Sequence, residues 1–288
     1  MEREQIMALP QIFSGTLTPQ LKILPGLRVR PRTFGSKRKT SQPQTEALTV
    51  NTLMAGLSPL PQHSVLLGRC ADGLPFLMSL GDPELGAILI ACERGYGKTH
   101  HVQALVDSAL QSHSARKMQF AVLTLNPSEW NRLTDQAPAR KYLQGLLAWY
   151  DPQAERLIAD LTELAESRRG DQRRGPDVLL ILDDLPALQD LSWEAQVNLR
   201  WLLEYGAQSG IWVVATVNAT EVSGFRFWID TFRTRILGRV TDGAAAEVLA
   251  AKATGVADLA PGQFQAWTGS SWTSYTLPML GKVKTLED

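Results

Sequence analysis

Eight consecutive residues, Cys92-Glu93-Arg94-Gly95-Tyr96-Gly97-Lys98-Thr99, bring two glycines, an amine and a hydroxyl into one short stretch. That combination suits a phosphate. Glycine tolerates the left-handed backbone that turns successive N–H groups toward phosphate oxygens, which makes Gly95 and Gly97 candidate cradle residues. A helix opening at His100 would add partial positive charge from its N-terminus. Lys98 would then reach the β- and γ-phosphates of a nucleotide, and Thr99 would offer its hydroxyl to Mg2+. The stretch matches the pattern G-x-x-x-x-G-K-S/T except at its first position, where Cys92 stands for glycine. Glu93, Arg94, Tyr96 and His100 complete the candidate nucleotide-contacting loop. The alternative is a structural turn that happens to carry G-K-T.

Such a site needs an acidic residue at the end of a buried strand. Asp177-Val178-Leu179-Leu180-Ile181-Leu182-Asp183-Asp184 supplies two. Asp183 is the candidate to orient Mg2+ through water, together with Thr99. Asp184 stands where a longer glutamate commonly polarises the attacking water, so nucleotide binding is better supported than hydrolysis. Asn218 ends another apolar run. A polar amide there could sense the γ-phosphate, although asparagine at a strand end is often only a turn former.

These residues must be positioned by alternating strands and helices. Short apolar runs at 87–91, 118–125, 178–183, 211–217 and 234–240 read as strands covered on both faces. The loop at 92–99 leads into a helix from His100. Residues 139–169 carry apolar residues at spacings that predict one or two helices, with a break at Asp151-Pro152. A second helix follows Ser192, a plausible N-cap. Two strands precede the loop, SVLLGR and LPFLMSL, and two strand-like runs, GQFQAW and SYTLPML, follow a helical GAAAEVLAAKA. Strand–helix alternation of this kind predicts an α/β domain with a mainly parallel sheet.

Composition narrows the classes further. In 288 residues, 44% hydrophobic and 20% charged content is that of a globular protein, which excludes global disorder and coiled coil. The apolar runs at 87–92 and 178–182 fall far short of the roughly 18 residues of a membrane span. MEREQIM lacks the basic-then-apolar order of a secretion signal, and Cys70 and Cys92 cannot build a disulfide framework, so a soluble cytoplasmic protein is expected. His100 and His101 are adjacent on a helix and make a poor metal pair.

The balanced net charge hides an asymmetry. Residues 1–45 hold eight basic and two acidic residues, a net of +6 that leaves −6 on the remainder. Such an arm could neutralise nucleic-acid phosphates, or be a solvated tail, or pack on an acidic neighbouring subunit. The arginine-rich run of residues 168–174 carries the same ambiguity: DNA phosphates, or a solvated helix end.

Two resemblances compete. VVATVNATE resembles the sensor strand of AAA+ ATPases, and Phe232-Arg233-Thr234-Arg235 resembles their arginine-finger region, but a helical lid should then follow residue 243. The FtsK/HerA family of DNA-pumping ATPases is similar over more of the chain, about residues 64–280. LLGRCADGLPFLMSLGDPELGAILIACERGYGKT resembles its opening strands and phosphate loop. LNPSEW sits where it commonly has D-P-K, SGIWVVATVN resembles its G-I-H-L-V-L-A-T-Q strand, FRTRILGRV its T-R-I-A-F-R-V strand, and GVADLAPGQFQAW its closing strand segment. Departures at Cys92, Asn126, Ser128, Asp184 and Asn218 mark a divergent member.

That resemblance implies an α/β fold with a RecA-like P-loop NTPase core, a mainly parallel sheet and a C-terminal strand–turn–strand. It implies residues 1–63 as basic, loop-rich arm and linker and 64–288 as ATPase domain. It implies ATP and Mg2+, a homo-oligomeric ring such as a hexamer or a hetero-assembly, and DNA as candidate partner. The expected activity is ATP hydrolysis coupled to DNA translocation or remodelling by Lys98, Thr99, Asp183, Asp184 and Asn218. An arginine supplied in trans is also implied, with Arg235, Arg233 and Arg200 as candidates. A nucleotide-binding scaffold with little turnover and a secretion-system ATPase are the alternatives.

Overall fold

The computed structural model describes residues 48–55, 57, 63–169, 175–249, 255–268 and 271–286. The basic arm of residues 1–45 and residues 170–174 of the arginine-rich run lie outside the described residues. In chain order the elements are α1 (Val50–Ala55), β1 (Ser64–Cys70), β2 (Pro75–Ser79), β3 (Ile88–Cys92), α2 (Lys98–Ser112), β4 (Met118–Thr124), α3 (Asn131–Thr134), α4 (Ala137–Arg140) and β5 (Leu143–Ala148). They continue with α5 (Pro152–Ser167), β6 (Asp177–Leu182), α6 (Trp193–Tyr205), β7 (Ile211–Asn218), α7 (Arg226–Ile229), β8 (Thr234–Leu237), α8 (Gly243–Leu249), β9 (Gln263–Trp267) and β10 (Trp272–Thr276).

One sheet of ten strands runs β2-β1-β10-β9-β8-β3-β7-β6-β4-β5. The six strands from β8 to β5 pair parallel, and β9, β10, β1 and β2 extend the β8 edge in antiparallel fashion. The five strands expected for the parallel core are all present in it. Their alternation explains why each run is apolar throughout. Ile88, Ile90, Ile181 and Val214 face one core layer with Val102, Leu105 and Val106 of α2. Leu89, Ala91, Leu180 and Ala215 face the other, with Ile158 and Leu161 of α5 and Leu199 and Leu202 of α6. Removing either face from water is the main drive for docking these helices.

Helix boundaries follow local chemistry. Pro152 occupies the first turn of α5 behind Asp151, whose carboxylate accepts from the Gln153 N–H at 2.9 Å. Ser192 caps α6 by accepting from the Ala195 N–H at 3.3 Å. Helix α2 is enclosed on several sides, and several of its buried polar side chains find partners in neighbouring elements. Gln103 donates to the Glu129 carbonyl, Ser108 accepts from the Leu66 N–H, and Asp107 meets Arg132 at 2.7 Å.

One expectation needs correcting. Residues 143–148 form strand β5 at the sheet edge, parallel to β4, rather than helix. The Leu143, Leu146, Leu147 spacing mimics a helical stripe because this edge strand is only half-buried on both faces. Residues before Ser64 also join the body: Val50 and Met54 of α1 are buried with Leu66 and Ala104, and Val50 N donates to the Met279 carbonyl.

After α8 the chain re-enters the sheet as β9 and β10, in place of the helical lid that would have pointed to AAA+. The sheet order also sets up a crevice. From β3 the chain crosses to β4 on one side, and from β7 it crosses to β8 on the other side of β3. Ligands of open α/β sheets bind at such a switch point, outside the carboxyl ends of the strands.

Candidate functional site

Strand β3 ends at Cys92, whose register partner on β7 is Asn218. Strand β6 lies on the other side of β7, so the loops after β3, β6 and β7 converge. The loop after β3 turns through Gly95 (φ 83°) and Gly97 (φ 100°), both in the left-handed region. Gly97 is the N-cap of α2 and offers no side chain to cap it, which leaves the helix N-terminus available for an external acceptor.

The Lys98 ammonium is buried and folded back across this loop. It donates to Asn218 Oδ1 at 2.7 Å and to the carbonyls of Cys92 and Glu93 at 3.3 Å each. The Thr99 hydroxyl donates to Asp183 Oδ1 at 3.3 Å, and the Thr216 hydroxyl donates to the same oxygen at 2.8 Å. Thr216 in turn accepts from the Asp184 N–H at 2.9 Å, and the Trp149 indole donates to the Asp183 carbonyl at 2.8 Å. One buried threonine thus holds both aspartates, with Asp184 itself at φ 67°. Asp tolerates that left-handed conformation better than most residues.

Burial sets the electrostatics. It pushes the Asp183 carboxyl up to about 6, against the two hydroxyl donors that lower it. Asp184 is also raised, first by burial, with Lys98 acting in the opposite sense. Burial holds the Cys92 thiol at about 11, so it stays neutral and is not a nucleophile.

A second set of residues, absent from the sequence reading, clamps the loop from the end of β8. The Glu93 N–H donates to the Arg239 carbonyl, and Glu93 Oε1 accepts from the Thr241 N–H, both at 2.9 Å. Arg239 Nη1 donates to the Tyr96 hydroxyl at 2.7 Å. His100 Nε2 lies 2.8 Å from the Pro278 carbonyl, while the buried His101 meets the Tyr275 hydroxyl. The two histidines therefore serve different neighbours.

The arginines with a candidate role in trans sit away from the loop. Arg235 Nη1 donates to the carbonyls of Val248 and Leu249, and Nη2 to that of Ile229. Arg200 pairs with Glu204 and stacks on Phe227 at 3.8 Å. Arg233 lies 3.5 Å from Glu84 and precedes β8, at the end of the sheet opposite the loop.

The residues around Asp183 form an all-oxygen set, one carboxylate and two hydroxyls, which suits a hard cation. Among the described residues no group of three or more His, Cys, Asp or Glu could hold a metal alone. That pattern fits Mg2+, which is commonly held by one or two carboxylates plus phosphate oxygens and water. A buried carboxylate raised first by desolvation, with the carboxylates of Asp184 and Glu129 acting in the same sense, fits an added cation too.

Together the fold and this loop define a RecA-like P-loop NTPase core. No family model matches the sequence, and no curated protein matches it. Solved structures do. The Thermomonospora curvata EccC structure (ATPases 2 and 3, with a signal sequence peptide) aligns at TM-score 0.61 and 12% identity, over 81% of this chain and 43% of that one. EssC (ATPases 2 and 3) from Geobacillus thermodenitrificans aligns at TM-score 0.60 and 15% identity, over 78% and 46%. The pCW3 conjugation coupling protein TcpA, with ATPγS, aligns at TM-score 0.58 and 18% identity, over 75% and 66%. The chain thus spans less than half of the EccC and EssC structures. The chain shares the fold of these ATPase structures. Among the described residues no helix is long and apolar enough to cross a membrane.

Proposed function

We propose that this chain binds ATP with Mg2+ between β3 and β7 and hydrolyses it as a motor-type ATPase, acting on DNA in the cytoplasm as part of an oligomeric ring or a hetero-assembly. The observation that carries the reading is the junction of Lys98 with Asn218 and of Thr99 with Asp183. It joins the amine, hydroxyl, carboxylate and amide that a nucleotide triphosphate requires at one switch point.

Lys98 releases Asn218 to meet the β- and γ-phosphates, and the N-terminus of α2 faces their oxygens. Thr99 and Asp183 hold the cation, which neutralises charge on the phosphates when bound. Asp184 takes the proton of the attacking water as its oxygen bonds to the γ-phosphorus. The bond to the bridging oxygen breaks, giving ADP and phosphate. Asn218, next to Lys98, is placed to respond to loss of the γ-phosphate.

DNA as the cargo is supported by the +6 charge of residues 1–45, since each neutralised phosphate releases counterions. EccC is described with a signal sequence peptide and TcpA as a conjugation coupling protein, so a protein cargo is the outcome to test against. Steady-state ATPase is measured with and without duplex DNA, for wild type and Lys98→Ala. DNA-stimulated turnover that the variant loses supports the motor. Tight ATP binding without turnover would instead make the chain a nucleotide-dependent scaffold.

A further inference from the structure

Arg94 is the third residue of the loop, and its neighbours in the loop are engaged elsewhere. Glu93 turns to Thr241 and Arg239, Tyr96 turns to Arg239, and Gly95 has no side chain. Nothing lies within 4 Å of where a Cβ on Gly95 would stand, so the space beside Arg94 is open. Arg94 is exposed, and among the described residues no hydrogen bond or ion pair occupies its guanidinium. Its charge is nonetheless felt at Asp184, as is that of Lys98. Arg94 thus stands on the loop after β3 with an exposed, unengaged guanidinium, on the same loop as Lys98.

The three arginines considered for a role in trans are engaged elsewhere in the chain, and Arg239 is taken up by Tyr96 and Glu93. Arg235 is held by three carbonyls, Arg200 lies on the Phe227 ring, and Arg233 lies at the far end of β8. We propose that Arg94 binds the γ-phosphate in cis, as the fork-shaped donor that supplements the point charge of Lys98. This rests on the nucleotide reading above. A guanidinium offers parallel N–H donors that match two phosphate oxygens. The position explains why an arginine can stand in the loop at all. Without a ligand its guanidinium has no hydrogen-bond or ion-pair partner among the described residues. With a triphosphate in place it gains oxygens that a diphosphate lacks.

The test separates triphosphate from diphosphate. Full-length wild type, Arg94→Ala and Arg94→Lys are titrated with ATPγS and with ADP, each with Mg2+, and thermal melts verify the fold of each. Arg94→Ala is expected to weaken ATPγS about tenfold or more while ADP changes by less than about twofold, and Arg94→Lys to recover part of the loss. Equal weakening of both nucleotides, or no weakening of either, overturns the assignment while leaving the nucleotide site intact. A wild type that takes neither nucleotide overturns the nucleotide reading itself and Arg94 with it.

Discussion

Gly238 gives Cys92 the room that glycine at the start of the loop would otherwise have left free. A Cβ built on Gly238 would stand 2.7 Å from the Cβ of Cys92 and 3.0 Å from the Phe264 ring. Real Cβ atoms do not approach so closely. The side chain gained at the first loop position is therefore accommodated by one missing from the next strand region, and Cys92 stays fully buried. Gly238→Ala should destabilise the fold by about 1–3 kcal/mol through overpacking. Combining it with Cys92→Gly should recover part of that loss, because the two sites share the contact. Urea unfolding of the four proteins in this cycle checks the coupling; additive effects would refute it.

The 2.7 Å bond from Lys98 to Asn218 competes with phosphate for the same ammonium. In Asn218→Ala that competitor is gone and two carbonyl contacts remain. ATP affinity should hold or improve, by up to about tenfold for loss of one charge-assisted bond. Turnover should fall at least about tenfold, as for other removed polar groups at a reacting centre. Equilibrium binding of a fluorescent ATP analogue beside steady-state turnover separates these effects. A variant that loses binding as fully as Lys98→Ala would refute the competition.

The central strands were legible because burial on both faces leaves continuous apolar runs, as in residues 178–182 and 211–217. Glycine, lysine and threonine at 97–99 were legible because their chemistry depends on local spacing. Strand β5 was not, since an edge strand with Leu143, Leu146 and Leu147 half-buried has no alternation to read. Thr216, Arg239 and Thr241 were missed for another reason: they reach the site across strands, and no period in the chain marks such contacts. Gly238 did carry a signal, because a glycine inside a strand pattern often marks close approach of neighbours.

Burial raises the Asp183 carboxyl from 3.8 to about 6, so the folded chain keeps this proton where the unfolded chain has released it. The resulting stability is full below about pH 4 and is lost as pH rises through about 6. Asp183→Asn removes that loss. Without nucleotide, the variant should exceed wild type by about 1–3 kcal/mol at pH 8, and the two should converge toward pH 4. It should also lose the Mg2+ dependence of ATP binding. Urea midpoints between pH 4 and 8 test this, and a variant weaker than wild type at pH 8 contradicts it.

Arg235 ties α8 to the body through the carbonyls of Val248 and Leu249. Its guanidinium donates to the last described carbonyls of that helix, Val248 and Leu249 at 2.8 and 2.7 Å, and to Ile229 at 3.3 Å. Leaving these half-buried acceptors without a donor should cost about 2–3 kcal/mol in Arg235→Ala, read from thermal or urea unfolding. An arginine acting on a neighbouring copy would behave differently. Mixing Arg235→Ala, which keeps Lys98, with Lys98→Ala, which keeps Arg235, would then restore turnover that neither has alone. The carbonyl contacts predict no such restoration, and ATPase measured on mixed, folded proteins decides between the two.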